Sequence, residues 1–443
     1  MNEDWMVMSR WLGVVVLGGI LLAAGCGDGT PTSSNEDLLP EVSTYEVLIP
    51  FSDFVQGVEL YRGFSSPADI AAPIVASSYR GELEARALLN FPNPPVSLNV
   101  RNPADSTVVP DSTYVPIGGT LVVRLDTLAY PTGSTVEVAL GALTESFDPQ
   151  SATWDLSADT LGGSAPWEEP GAGPVREVEV IEWNPVDGDS VVFTLDSLTA
   201  TEWAHPDAAV RGAARLESRT EGTLLRVRQA TFEGQARPEL DPDTVLRFTR
   251  EMERTTVVYT PATESTGPEL LLGGAPAWRT YLRIAPPIRL DPEAAYCEGI
   301  PCPVDLTPQN LIYAGLVLHT AETAQPAFQP LDSLRVQARP AISPDRVPRS
   351  PLGPPVQNVP RIVAPAAFGP GGSARIELAM SAYLRLLLRE SASAPDELPT
   401  STLALFSTTE GGSLQYGTFR GPGQEGEPAL RIIFTLFEGV DLP

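Results

Sequence analysis

The chain contains no lysine. All 29 of its basic residues are arginine, and they face 56 acidic residues, so the formal charge is −27. A surface so poor in cations excludes a general nucleic-acid binder, which needs a basic patch for phosphate contacts. It also excludes docking to anionic lipid through a basic face. Histidine occurs twice, at His205 and His319, and cysteine three times. That leaves little material for a His-based triad or a Cys/His metal site. Only one apolar run is long, the fourteen residues Trp11 to Ala24, and it is too short to span a bilayer. Present in excess are proline and glycine, 45 and 37 residues, with 42% hydrophobic residues overall. That combination supports a large core cut by many turns and argues against wholesale disorder. At 443 residues, two or three domains are expected.

The apolar run has the length of a signal-peptide core. It ends Leu21-Leu22-Ala23-Ala24-Gly25-Cys26, which resembles the lipobox of bacterial lipoproteins, with Ala23 where leucine is commonest. The resemblance implies cleavage after residue 25 and a lipidated Cys26, and Gly27 behind it favours the outer membrane. Glu3 and Asp4 precede the only early cation, Arg10. A signal peptide starts positive, so Met8 is a better start than Met1. An ordinary cleaved signal with an incidental cysteine is the alternative. Residues 26–43 are rich in Gly, Ser, Thr, Asn and Asp and read as a flexible tether. Cys297 and Cys302 are an even pair outside the cytoplasm and read as a local disulfide rather than half of a zinc site.

Short runs rich in β-branched residues dominate the remainder, such as Leu121 to Leu125, Val178 to Ile181, Val191 to Leu195 and Leu430 to Phe434. Asp187-Gly188 signals a hairpin turn, and only Arg375 to Glu390 and Asp196 to Ala204 have helical character. The chain also repeats itself. Leu89 and Leu282 are 193 positions apart, as are Phe91 and Ile284, and Leu121, Val123 and Leu125 precede Ala314, Leu316 and Leu318 by the same interval. Thr231-Phe232-Glu233-Gly234 has its counterpart in Thr418-Phe419-Arg420-Gly421. These matches predict an all-β protein of two tandem sandwich modules, residues 44–258 and 259–443, joined by a linker from Thr260 to Gly267. Nine prolines fall within 340–370, which reads as a long extended loop or a disordered excursion.

Module one carries Thr144-Glu145-Ser146-Phe147-Asp148 followed by Ala152-Thr153-Trp154, between an Arg86-Ala-Leu-Leu-Asn-Phe opening and an Arg237-Pro238 close. This order resembles the disaggregatase-related (DNRLRE) modules of secreted proteins, which are grouped with carbohydrate-binding modules. The resemblance covers most of 80–250 and implies a jelly-roll sandwich and a polysaccharide or cell-surface glycan partner. Module two lacks the Thr-Trp element, so there the resemblance implies the fold alone.

Sugars stack on aromatic rings, and four of the five mature tryptophans lie between 154 and 203. Trp154 and Trp203 read as core. Trp167, in Ala-Pro-Trp-Glu-Glu-Pro-Gly, reads as an exposed platform beside Glu168, Glu169 and Arg176, and Trp183 divides evenly between core and ligand. Tyr61 and Tyr79 are weaker candidates. Calcium is the one cofactor left open, through Asp187-Gly188-Asp189 or Asp241-Pro242-Asp243. Gly188-Asp189-Ser190 resembles the start of a GDSL hydrolase but lacks the Asp-x-x-His partner, and no other catalytic signature is present. The chain therefore reads as a non-enzymatic, surface-tethered, carbohydrate-binding-like lipoprotein. The alternative is a structural or adhesive spacer without a small ligand, and the least supported reading is a polysaccharide hydrolase or lyase. The position of the two rings separates the first two readings: if Trp167 and Trp183 are both buried, the spacer is favoured.

Overall fold

Period-two burial is the signature of a strand with one face on a core, and the chain shows it repeatedly. Ser190–Leu195 buries Val191, Phe193 and Leu195 and exposes the residues between them. The computed structural model describes residues 42–127, 134–204, 213–263, 267–393 and 401–437. The expected signal peptide, Cys26, the expected tether up to residue 41 and His205 lie outside these residues.

The first strands are β1 (Val42–Ile49), β2 (Val55–Tyr61), β3 (Ile74–Tyr79) and β4 (Leu83–Asn90), with a single turn α1 (Phe51–Phe54) between the first two. There follow β5 (Leu98–Arg101), β6 (Val108–Asp111), β7 (Val115–Thr127), β8 (Val136–Leu143), β9 (Leu156–Thr160), β10 (Gly163–Pro166), β11 (Val175–Trp183) and β12 (Ser190–Leu195). Helix α2 (Ser197–Trp203) leads to β13 (Ala214–Ser218), β14 (Thr223–Arg237), β15 (Leu246–Glu251) and β16 (Arg254–Tyr259). The second half runs through β17 (Leu270–Gly273), β18 (Arg279–Ile284), β19 (Arg289–Leu290), β20 (Val304–Asp305), β21 (Leu311–Ala321), β22 (Leu334–Pro340), β23 (Arg361–Val363) and β24 (Arg375–Ala379). Helix α3 (Ser381–Ser393) then precedes β25 (Ser401–Ser407), β26 (Tyr416–Phe419) and β27 (Ala429–Phe437).

The fold is all-β and antiparallel. In the first sandwich one sheet runs β16-β4-β13-β8-β11 and the other β15-β14-β7-β12, with β3 bridging β4 and β14. The pairs nest around the middle of the segment: β4 with β16, β7 with β14, β8 with β13. This is the winding of a jelly roll. Leu89, Leu121, Val138, Phe193, Leu216 and Phe232 fill the space between the sheets. The second sandwich repeats the strand order, with two strands, β26 and β27, against β21 where the first has the single strand β14 against β7. Its sheets run β2-β18-β25-β22-β23 and β1-β27-β21-β26-β17, with β24 on β21.

This correspondence moves the expected module boundary. By position in the chain residues 44–61 belong to module one, yet β2 pairs with β18 and β1 with β27, both of the second half. The second sandwich is thus closed from the amino-terminal side, and the first is complete without that segment. The outer ends of β1 and β27 form a small unit of their own, in which the Tyr45 ring lies on Phe434 at 5.7 Å.

Three other expectations change. Asp187-Gly188 does turn the chain, with a 3-10 turn at Pro185–Asp187 and Gly188 at φ 135°. The strands it joins, however, pair with β8 and β7 rather than with each other, so the turn carries the chain from one sheet to the other. The segment 375–390 is helical only from Ser381, because Arg375–Ala379 adds to β21 as a strand. The proline-rich stretch 340–370 is folded: it contains β23, buries Val363 and Phe368, and closes on itself through Gly353 N–H to Pro340 O at 2.8 Å.

The two sandwiches share one apolar cluster. Tyr79, Leu83, Leu224 and Tyr259 of the first pack with Leu271, Trp278, Phe328 and Tyr416 of the second. Across the same junction the Tyr259 hydroxyl donates to Ala275 O, and burial raises the pKa of that phenol. Arg226 pairs with Asp332 at 2.6 Å.

Candidate functional site

The loop from Thr144 to Pro174 carries Trp167, Glu168 and Glu169, and β11 behind it carries Arg176 and Trp183. The loop contains the β9–β10 hairpin and folds back on the first sandwich. Thr144 Oγ1 donates to Pro174 O at 2.9 Å, closing its base. Gly171, Ala172 and Gly173 have φ of 84°, 76° and 60°. That left-handed run favours glycine, and a Cβ on Gly171 would stand 2.6 Å from Arg86 and 2.9 Å from Trp154.

The carbonyls of this run are held by two arginines. Arg86 donates to Gly171 O and lies over the Trp154 ring at 5.1 Å. Arg215 donates to Gly173 O at 2.7 Å. One carboxylate, Glu217, serves both, at 3.2 Å from Arg86 and 3.0 Å from Arg215. Sequence reasoning missed this group. Its signal was the Thr-Trp motif itself, whose tryptophan is a stacking surface for an internal arginine.

Trp167 is not an exposed platform. It is 5% exposed and packs with Leu88, Leu143, Ala152 and Val258, and its Nε1 donates to Thr153 O at 2.9 Å. Phe147 lies against its ring at 6.1 Å. The reversal has a simple physical cause. Glu168, Glu169 and Pro170 are exposed and give the segment the look of a solvated loop, while the indole alone turns inward and covers the sandwich.

Trp183 ends β11, is also 5% exposed, and belongs to the main core, with Nε1 donating to Gly188 O at 3.0 Å. Trp203 is buried and stacks on Phe91. Tyr79 lies in the shared cluster, and Tyr61 donates to Glu59.

Glu168 is exposed, and its backbone N–H donates to Glu145. Arg176 is half-buried and engaged with α2, bonding Glu202 at 2.6 Å and Thr199 Oγ1 at 3.0 Å. The four ligand candidates Trp167, Trp183, Glu168 and Arg176 therefore do not converge on one open surface.

Helix α2 has its own cap. The Asp196 side chain accepts the Thr199 N–H at 2.8 Å. Hydrogen bonds from the Thr199 side chain and backbone hold the Asp196 carboxyl below its ordinary range. A depressed carboxylate contributes stability above the unfolded pKa of about 3.9 and loses it as pH falls through the folded value. Asp196→Ala is therefore expected to lower stability by about 1 kcal/mol at neutral pH, and the difference from the parent shrinks below about pH 4. Urea melts at pH 7 and pH 3 measure both.

The acidic turns considered for calcium are internally bonded: Ser190 Oγ donates to Asp189 and Thr244 Oγ1 to Asp241. Among the described residues no three His, Cys, Asp or Glu side chains gather closely enough to hold a metal ion. His319 lies beside Gly426 O at 2.9 Å. Cys297 and Cys302 form a disulfide with their Cα atoms 6.1 Å apart.

Among the described residues, cavities open elsewhere. One of about 430 Å³ opens beside Pro94, Pro95, Val96 and Tyr114. Another, about 290 Å³, is lined by Ile74, Arg226, Asp332, Ser407 and Gln415. Neither is lined by any of the four candidate residues. No protein-family model matches the chain, and no curated protein is detectably similar to it.

Proposed function

We propose that this chain is a non-catalytic, lipid-tethered protein of the bacterial outer membrane whose paired sandwiches act as a structural or adhesive spacer. The observation that carries this reading is the burial of Trp167 and Trp183, each with its indole N–H bonded to a backbone carbonyl. A ring of that kind supports a core and offers no face for a sugar. The shared apolar cluster adds to the argument, because two modules packed through one core resist bending at their junction. No helix among the described residues is long and apolar enough to cross a membrane. The proposed attachment rests on the lipobox-like run that ends at Cys26.

Three measurements test the proposal. Cys26→Ala releases the protein from the membrane fraction, and full retention overturns the tether. Trp167→Ala lowers stability by about 3–5 kcal/mol, as removal of a buried large aromatic does. On glycan arrays the parent, residues 42–443, stays silent. Saturable binding of a polysaccharide, lost in a folded Trp167→Phe variant, overturns the spacer in favour of the carbohydrate-binding reading.

A further inference from the structure

The two sandwiches use the same slot for a closing pair of strands, one for each sheet, but fill it from opposite directions along the chain. In the first, β15 lies on β14 and β16 on β4, and the closing segment follows β14 directly. In the second, β1 lies on β27 and β2 on β18, and the closing segment arrives from the other end of the chain. The registers match across the 193-residue repeat. Leu89 faces Thr255, and its counterpart Leu282 faces Val58. Ala87 faces Val257, and its counterpart Thr280 faces Leu60. Strand register and apolar burial hold such a closing segment in place, therefore, and not the direction of its covalent connection.

We propose that β1–β2 is an exchangeable closing segment, one strand for each sheet, and that its partner is the same slot, at the edges of β27 and β18, in a second copy of this chain. Val47, Ile49, Phe51, Phe54 and Val55 are buried in this segment, so a vacated slot exposes an apolar strip and two open strand edges, which favour refilling by an identical segment. Residues 62–73 join this segment to β3, and twelve residues reach up to roughly 40 Å when extended. Gly63 in this connection has φ 97°, and a Cβ there would meet nothing within 4 Å. Exchange remakes the contacts it breaks, so its extent is set by concentration. Reciprocal exchange closes a dimer, and one-way exchange adds copies head to tail. The inference stands on strand pairing alone and goes beyond the spacer reading.

Two full-length chains with different tags test it, both carrying Cys26→Ala. One carries Leu60→Cys and the other Thr280→Cys, the positions that face each other in the ladder. A single chain bearing both substitutions closes internally on oxidation and shows that the thiols reach. After the two singly substituted chains are mixed, warmed to the onset of unfolding, cooled and oxidised, non-reducing electrophoresis is expected to show a covalent heterodimer. Its yield rises with concentration and exceeds by about tenfold that obtained when Thr280→Cys is mixed with a Leu198→Cys chain, because strand pairing raises the local thiol concentration. No heterodimer, or equal yields with the exposed Leu198→Cys partner, overturns the proposal.

Discussion

Deleting residues 42–61 is expected to unfold the second sandwich, more than two hundred residues downstream, and to leave the first one folded. The lost segment contains β1, α1 and β2, with Val47, Ile49, Phe51, Phe54 and Val55 buried. At about 1.5–3 kcal/mol for each fully buried apolar side chain, the loss is on the order of 10 kcal/mol, comparable with the entire stability of an ordinary domain. The deletion also strips β18 and β27 of their neighbours and leaves two unpaired edges. The first sandwich keeps its own closing strands, β15 and β16. Calorimetry of the deletion variant should retain a single transition, and limited proteolysis should leave a protected fragment from near residue 67 to near residue 260. A division of the chain at residue 258 makes the opposite forecast, with the second sandwich spared and the first one lost. The identity of the surviving fragment decides between them.

Some of this architecture is written locally and some is not. The strands are legible because a half-buried sheet imposes alternation, and Val191, Phe193 and Leu195 spell it out. The repeat is legible because Leu89 and Leu282 occupy equivalent central strands with the same core to fill. Helix α2 is legible through the Asp196 cap. The place of β1 and β2 is invisible in the sequence, since pairing across more than two hundred residues leaves no periodicity at either partner. The split of 375–390 into a strand and a helix depends on an open edge of β21 that only the assembled sheet supplies. The tryptophans misled for a related reason. The exposed neighbours of Trp167 describe the loop's outer surface, while the ring's position is set by Leu88, Leu143 and Val258 on distant strands. The Arg86–Glu217–Arg215 group was equally hidden, because its members lie on β4 and β13 and meet only through the strand register.

That group supports the second large effect. Glu217→Ala is expected to destabilise the first sandwich by about 3–5 kcal/mol, the range for a buried ion pair that loses one partner. Arg215 is 7% exposed, and burial pulls its pKa down while the Glu217 charge opposes that shift. Without Glu217 the guanidinium keeps its bond to Gly173 O and loses its nearest counter-charge. Arg86, held by the same carboxylate, loses one of the anchors that keep it under Gly171 O and over Trp154. The damage should therefore appear first in the loop from Thr144 to Pro174, as faster proteolysis there before global unfolding. Added salt should do little to reproduce it, since Glu217 and Arg215 are largely shielded from mobile ions. The double replacement Arg215→Met with Glu217→Leu removes both charges and keeps apolar volume, and it should lie closer to the parent than Glu217→Ala does. Urea melts of the three proteins measure the difference. A Glu217→Ala variant within 1 kcal/mol of the parent would mean that backbone pairing alone keeps the loop in place.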